Sequence, residues 1–122
     1  MHTSTVPTLA IVNRSAPYGS ANGQEALDLA LAAASFGQPP SLFFIDDGVY
    51  QLVAGQAPEL IEAKDYSKTF AALEFYDIEH IYVCAESLLK RGLSAPLCVE
   101  VSLLKRAELQ RLLNQHQHIL SF

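Results

Sequence analysis

The chain has 122 residues, of which half are hydrophobic and 17% are charged, a composition that fits one compact domain with an apolar core. Its net charge of −5, with no run of Lys or Arg, argues against direct contact with nucleic acid or an acidic membrane. No apolar run is long enough for a membrane span, the first residues lack a signal-peptide pattern, and two cysteines are too few for a disulfide framework. We therefore expect a cytoplasmic protein, and the low charged fraction predicts that another chain covers part of its apolar surface.

The first half of the chain contains two predicted strands, each followed by a helix. Asn22 and Glu25, three residues apart after a polar loop, form an approximate capping box that opens the first helix. Gly37 and the Pro-Pro pair that follows it end this helix. In chain order the elements are a strand over 8–14, a helix over about 24–36, a strand over 41–45 and a short helix over 48–53.

The second half repeats the alternation of helices and strands. Tyr66, Phe70 and Leu73 recur at the spacing of one helical stripe, and Gly92 is placed to stop the helix that precedes it. In chain order the elements are a helix over 59–75, a strand over 80–84, a helix over 85–91, a strand over 97–101, a helix over about 105–114 with Leu109, Leu112 and Leu113 on its inner face, and a short strand over 118–120.

This alternation predicts the fold class. Strands that alternate with helices form right-handed βαβ units, which build a parallel sheet with helices packed against it. We therefore predict an α/β fold, with residues 1–122 in one domain and a mostly parallel sheet of about five strands covered by helices on both faces.

Cys84 is the residue that most invites a functional interpretation. In a parallel sheet, ligands and reactive groups collect at the carboxyl ends of the strands, and Cys84 ends a strand and precedes a helix. The unpaired N–H groups of that helix favour a thiolate, whereas the negative charge of Glu86 opposes one. A buried structural cysteine is the competing interpretation of Cys84. Cys98, in the middle of a predicted strand, is expected to be an inert core residue.

Other motifs give no support for a cofactor, a metal or hydrolytic catalysis. The loop "SAPYGSANG" matches neither a dinucleotide-binding fingerprint nor a P-loop, and we interpret it as a tight turn. Asp46 and Asp47 are interpreted as turn and N-cap residues. No serine forms a recognisable nucleophile elbow. The four histidines, His2, His80, His116 and His118, lack the spacing of a zinc site. His116 and His118 could share one strand face, but two ligands make a poor metal site.

Four segments taken together resemble the DsrE/DsrF-like sulfur-relay family, and within it the TusC (DsrF) branch. They are "SAPYGSANGQEALD", "FFIDDGVYQLVAGQAPE", "KDYSKTFAALEFYDIEHIYVCAESLLKRGL" and the closing "HILSF". Each motif is short, but their order and spacing are specific. The resemblance runs from about residue 8 to residue 122 and is densest over 41–93.

The resemblance implies partners and a function. Chains of this branch assemble with TusB-like and TusD-like subunits into a dimer of heterotrimers, which takes persulfide sulfur from a TusA-like carrier and passes it to a TusE-like one. In one branch the sulfur is used for 2-thiolation of the tRNA wobble uridine. In sulfur-oxidising bacteria the related complex serves dissimilatory sulfur oxidation. Neither nucleic acid nor a membrane is expected to contact the chain directly.

The resemblance also bears on Cys84. The family's sulfur-carrying cysteine belongs to the TusD-like (DsrE) subunit, at the end of the equivalent strand, and Cys84 occupies the matching position with Gly92 eight residues later. Subunits of the TusC branch are regarded as non-catalytic. Cys84 is thus expected to be a vestigial sulfur site, and the alternative is a catalytic Cys84 that carries its own persulfide.

Two further expectations follow. A subunit of such a complex needs an apolar interface, for which we expect the segment over 49–53 together with Tyr66, Phe70 and Tyr76, although core packing suits Phe70 better. A nucleotide- or flavin-binding module unrelated to sulfur is a third hypothesis. The lack of a phosphate-binding fingerprint argues against it.

Overall fold

The computed structural model describes residues 8–15, 22–52, 72–93 and 101–122. Within these residues the strands are β1 (Leu9–Asn13), β2 (Ser41–Phe44), β3 (Ile81–Cys84), β4 (Ser102–Leu104) and β5 (His118–Ser121). The α-helices are α1 (Asn22–Ser35), α2 (Ala85–Lys90) and α3 (Arg106–Leu113), and the 3-10 helices are η1 (Asp46–Leu52) and η2 (Glu74–Tyr76).

The five strands form one sheet in the order β4-β3-β2-β1-β5, and every neighbouring pair is parallel. Asn13 pairs with Phe44 and Cys84 pairs with Leu104, so the carboxyl ends of β1 to β4 lie at one edge of the sheet. The chain then returns across the sheet, and β5 pairs with β1. The predicted α/β fold with a five-stranded parallel sheet is confirmed.

Alternation along the strands divides the core between the two faces of the sheet. Side chains such as Ile11, Leu42 and Phe44 pack with α1, η1 and α2, and we call this side the α1 face. Side chains of the other register pack with α3, and we call this side the α3 face. Its buried members are Ala10, Val12, Phe43, Cys84, Leu109 and Leu113. Helices therefore cover both faces, as predicted.

Both predicted helix stops are confirmed. Gly37 and Gly92 have φ angles of +81° and +65°, in the left-handed region that glycine adopts without a Cβ clash. After α2, the N–H of Leu93 donates to the carbonyl of Leu88 (3.0 Å) and the N–H of Gly92 donates to that of Leu89 (3.1 Å). This pair of bonds is the Schellman motif, which satisfies the last carbonyls of a helix.

The fourth strand lies later than predicted. Val101 is outside any strand and β4 covers Ser102–Leu104, while residues 97–100 lie outside the described residues. β4 is an edge strand whose first two residues are exposed. Its position is fixed by pairing, which sets Leu104 opposite Cys84.

Other elements differ from the predictions in their bounds. α1 begins at Asn22, two residues earlier than predicted, and the short helix predicted over 48–53 is a 3-10 helix that starts at Asp46. Most of the helix predicted over 59–75 lies outside the described residues, although Leu73 is fully buried in the α1-face core. No helix among the described residues is long and apolar enough to cross a membrane.

Candidate functional site

Cys84 ends β3 and is the N-cap residue of α2, as the sequence predicted. Its side chain nevertheless makes no capping hydrogen bond to that helix. The thiol instead lies on the α3 face, in one cluster with Phe43, Leu109 and Leu113, and only 1% of the residue is exposed. It forms no disulfide. The sulfur is therefore covered by α3 and is not presented to solvent at the start of its own helix.

Glu86 is the polar group that contacts this thiol. The Cys84 Sγ donates to Glu86 Oε1 across 3.7 Å, and the same carboxylate accepts the backbone N–H of Arg106 at 3.0 and 3.3 Å. The bond from the Arg106 backbone is the main reason why the pKa of Glu86 lies below its ordinary value. A carboxylate with a lowered pKa is a weak base, so it accepts the hydrogen bond of the thiol but is poorly suited to remove its proton.

The turn after β2 packs tightly against β1 and α2. Asp46 has a φ of 51°, a left-handed conformation that Asp tolerates better than most residues, and its backbone N–H donates to Ser87 Oγ at 2.9 Å. Gly48 lies directly over the carbonyl of Asn13, so that any Cβ at this position would overlap the Asn13 oxygen. These contacts join the carboxyl ends of β1, β2 and β3 into one rigid corner.

Three arginines at this edge of the sheet are paired with acids. Arg14 contacts Asp46 at 3.1 Å, and Arg106 lies 3.7 Å from the other oxygen of the same carboxylate. Arg91 contacts Asp47 at 2.9 Å and also donates to the carbonyl of Ser87. Asp46 and Asp47 are thus turn residues, as predicted, but they also hold the arginines of three other elements. Each of these guanidinium groups faces a carboxylate, so the edge is nearly balanced in charge.

The other predicted residues are not brought to this edge. His116 is buried on the α3 face, where its Nδ1–H donates to the Leu112 carbonyl (2.9 Å) and its Nε2 lies 2.8 Å from Ser41 Oγ. His118 is exposed and His80 contacts the Tyr82 hydroxyl (3.1 Å), so these histidines do not form a common site. Among the described residues, no group of three or more His, Cys, Asp and Glu could hold a metal ion. Cys98, His2 and residues 16–21 of the polar loop lie outside the described residues.

The predicted interface segment over 49–53 is mostly core. Val49, Gln51 and Leu52 are buried in this chain itself, and Tyr50 is half-buried, so the expectation is wrong for this segment where the structure describes it. The reason is that η1 packs its apolar side chains against the α1 face, where they join the main core. Tyr76 does lie at the surface, while Tyr66 and Phe70 are outside the described residues.

The sequence did not reveal two residues of the corner. Ser87 and Arg106 act through Asp46 and Glu86, which lie 41 and 20 positions away in the sequence. No local pattern marks such pairs. The motif "CAES" did place an acid two residues after the cysteine, but not its contact with the first N–H of α3.

Comparison with known proteins agrees with this fold. The family model described as the DsrE/DsrF-like family matches residues 8–122. The TusC homolog of Vibrio vulnificus (strain CMCP6) is 44% identical over 115 residues, which cover 93% of this chain and 98% of that protein. Protein TusC of Shigella flexneri serotype 5b is 44% identical over 116 residues with the same coverage.

A solved structure points the same way. The crystal structure of the ychN protein from E. coli matches 96% of this chain and all of that chain, with a TM-score of 0.79 and 25% sequence identity. Both the sequence relatives and the structural neighbour extend over nearly the whole chain. The chain therefore belongs to the DsrE/DsrF-like family, on its TusC (DsrF) branch.

Proposed function

We propose that this chain is a non-catalytic subunit of a cytoplasmic sulfurtransferase complex that relays persulfide sulfur between carrier proteins for 2-thiolation of the tRNA wobble uridine. The observation that carries the proposal is the 44% identity to TusC proteins over 98% of their length. Its partners are TusB-like and TusD-like subunits in a dimer of heterotrimers, and the complex receives sulfur from a TusA-like carrier and delivers it to a TusE-like one.

The surroundings of Cys84 support a non-catalytic role. In persulfide transfer, an acceptor thiolate attacks the outer sulfur of the donor persulfide, a new S–S bond forms, and the inner sulfur of the donor leaves as a thiolate. The acceptor must therefore be ionised and within reach of another protein. Cys84 is buried beneath α3, and its thiol donates to a carboxylate. The second condition, access for another protein, is not met in this arrangement.

The surface supports a role as a subunit. Phe36 and Phe75 are 86% and 88% exposed, and they lie in the connections that lead into the amino ends of β2 and β3. Ile119 and Leu120 on the edge strand β5 are a little under half exposed. Large apolar side chains at the surface are typical of a protein that is covered by partners. The negative net charge fits contact with carrier proteins better than contact with tRNA.

Assembly can be tested by co-expression of this chain, carrying an affinity tag, with the TusB-like and TusD-like chains of the same genome. We expect the three chains to co-purify in equal amounts at the size of a heterohexamer. A tagged chain that purifies without either partner would contradict the proposal. Matched loads with an unrelated tagged protein control for non-specific capture.

The pathway can be tested by deletion of the gene. Loss of 2-thiouridine from tRNA, measured by mass spectrometry of nucleosides and restored by the intact gene, is the expected result. Unchanged 2-thiouridine together with impaired growth on reduced sulfur compounds would instead assign the complex to dissimilatory sulfur oxidation.

The role of Cys84 can be tested with Cys84→Ser in the reconstituted complex. Serine is close in size but cannot hold a persulfide, so we expect sulfur to pass from the TusA-like to the TusE-like carrier at nearly the parent rate. Abolished transfer with intact assembly would show that Cys84 is a working sulfur carrier.

A further inference from the structure

Two exposed aromatic side chains lie in the turn that leads into β3. Phe75 is 88% exposed and Tyr76 is 40% exposed, and their rings meet edge to face with centroids 6.2 Å apart. Leu73 and Ile78, on either side of the pair, are buried in the core, and the N–H of Ile78 donates to the carbonyl of Leu73 at 3.0 Å. The aromatic pair is therefore anchored to the core at both ends of the turn.

A third aromatic side chain lies at the same edge of the sheet. Phe36 follows α1, is almost fully exposed and precedes β2, which pairs with β3 in parallel. Since parallel neighbours begin at the same edge, the segments that enter β2 and β3 come together there, and α1 is in contact with η2. Exposed aromatic side chains that share one edge of a sheet are typical of a protein–protein interface.

The charged side chains of this turn are acidic. Asp77 and Glu79 are exposed next to the aromatic pair. The chain has no Lys or Arg over the described residues 22–52 and 72–89, so the elements around the turn supply no base to pair with these carboxylates. At the carboxyl edge, by contrast, each arginine faces a carboxylate. The turn therefore carries negative charge that the described part of the chain does not balance.

This charge limits what can cover the aromatic side chains. Nucleic acids and acidic membranes are repelled by carboxylates. A second copy of this chain, placed face to face, would bring Asp77 and Glu79 close to their own counterparts, and like charges across an interface are costly. A protein surface with an apolar pocket bordered by Lys or Arg avoids both problems, because it covers the rings and pairs with the acids.

We propose that the turn over 75–79, with Phe75 as its anchor, is the docking surface for a partner subunit that carries an apolar pocket bordered by Lys or Arg. The proposal rests on the proposed function, in which this chain is assembled with two different subunits. A subunit fits better than a sulfur carrier, because permanent interfaces are more hydrophobic than those that form and break.

Photo-crosslinking locates the contact. Phe75 is replaced by the photoreactive p-benzoylphenylalanine in the full chain, which is co-expressed with the TusB-like and TusD-like chains and irradiated as the assembled complex. We expect a crosslink to one of these two chains, at a surface that contains Lys or Arg, identified by mass spectrometry of the joined peptides. A crosslink only to a second copy of this chain, only to a carrier protein, or to no other protein overturns the proposal.

The dissociation constant of the chain for the co-expressed TusB-like and TusD-like pair measures the contribution of each side chain. Phe75→Ser is expected to raise this constant by about 30-fold, the effect of losing an aromatic hot spot. Glu79→Lys is expected to raise it by about tenfold at low salt. This smaller loss should shrink at about 1 M salt, where exposed charges are screened.

Glu108→Lys is the matched control, because Glu108 is an exposed acid on α3, away from the aromatic turn. It is expected to leave the dissociation constant at the parent value. An unchanged constant for Phe75→Ser, or equal changes for Glu79→Lys and Glu108→Lys, overturns the proposal. Circular dichroism confirms that each variant is folded, and should Phe75→Ser fail to fold, the charge variants and the crosslink decide.

These outcomes separate the docking surface from the proposed function. If the proposed function is wrong, the parent chain does not bind the TusB-like and TusD-like pair. If only the docking surface is wrong, the parent chain binds the pair and Phe75→Ser binds it equally well.

Discussion

Phe43 and Phe44 are neighbours in β2 and are both fully buried, yet they belong to different cores. Phe44 packs on the α1 face among side chains from α1, η1 and α2. Phe43 packs on the α3 face against Tyr82 and His116, with ring centroids 5.1 and 5.6 Å apart. Among the described residues, the two faces therefore differ in how many elements would have to move to fill a gap.

The two faces also differ in the size of their cores and in the polar groups they carry. The α1 face holds the larger apolar core, to which several connections between strands contribute. The α3 face carries Cys84, His116 and the half-buried Tyr82, whose pKa is raised by burial. Among the described residues, α3 is the helix that covers this face.

The largest expected effect tests the two cores directly. We expect Phe44→Ala to lower the free energy of unfolding by about 4–5 kcal/mol and Phe43→Ala by about 3 kcal/mol, because α3, the one helix among the described residues that packs on the α3 face, can shift to fill the gap left by Phe43. Urea unfolding followed by circular dichroism measures both values. A larger loss for Phe43→Ala would show that the α3 face is the more rigid core.

The next effect concerns the corner that holds η1 on the α1 face. A Cβ at Gly48 would overlap the Asn13 carbonyl, so we expect Gly48→Ala to cost about 3 kcal/mol by forcing the backbone apart. Gly37→Ala is the control, since Gly37 has open space but a φ of +81° and should cost about 1 kcal/mol. Equal losses in urea unfolding would mean that the corner can relax.

A smaller effect is expected on the α3 face. Cys84→Ser should lower the free energy of unfolding by about 1 kcal/mol, because a hydroxyl is placed among Phe43, Leu109 and Leu113. Cys84→Ala, which removes the polar atom altogether, serves as the comparison. A loss of stability well above about 1 kcal/mol for Cys84→Ser, measured by thermal unfolding, would show that the fold requires the thiol.

The contribution of Glu86 to stability depends on pH. Its folded pKa lies below the ordinary value of 4.5, so its ionised form stabilises the fold above that pH and the contribution is lost as the pH falls through the folded pKa. We expect the difference in unfolding midpoint between the parent and Glu86→Gln to be largest near pH 6 and to shrink toward pH 3. A difference that is constant with pH would contradict this.

The smallest effect on folding is expected at the edge strand. Ile119 pairs with Ala10 and so lies on the α3 side, while Leu120 pairs with Ile11 and lies on the α1 side, where Phe122 packs nearby. Ile119→Lys should leave unfolding nearly unchanged but weaken assembly with the partner subunits more than Leu120→Lys does. Gel filtration of the co-expressed chains measures this, and equal effects would mean that both faces meet a partner.

Local pattern was sufficient for most of the fold. The β-branched run before Asn13, the apolar run before Asp46 and the "IYVC" run each predicted a buried strand, because strands covered on both faces are continuously apolar. Gly37 and Gly92 marked the ends of helices because glycine adopts the left-handed backbone conformation required there without a Cβ clash. β4 was not predicted at Ser102–Leu104, because its bounds are set by its pairing with β3, which no local pattern marks.

The candidate site was only partly predictable. The sequence placed Cys84 at the end of a strand and put an acid two residues later, and it correctly ended α2 at Gly92. It did not predict that the thiol lies on the α3 face, since that depends on which helix covers the last residue of β3. It also assigned Val49 and Leu52 to an interface, although both are buried within the chain. A short apolar helix has the same sequence pattern whether it packs on its own sheet or on a partner.

By itself, the sequence determined the order of the elements, the parallel sheet, the family and the position of the one cysteine that invites sulfur chemistry. Only the tertiary structure decided whether that cysteine is exposed. Glu86 and the N–H of Arg106 are 20 residues apart, and β4 pairing brings the start of α3 to the end of β3. Periodicity and spacing predict local secondary structure. The burial of Cys84 and the charges around it are set by chain segments that meet only once the sheet has formed.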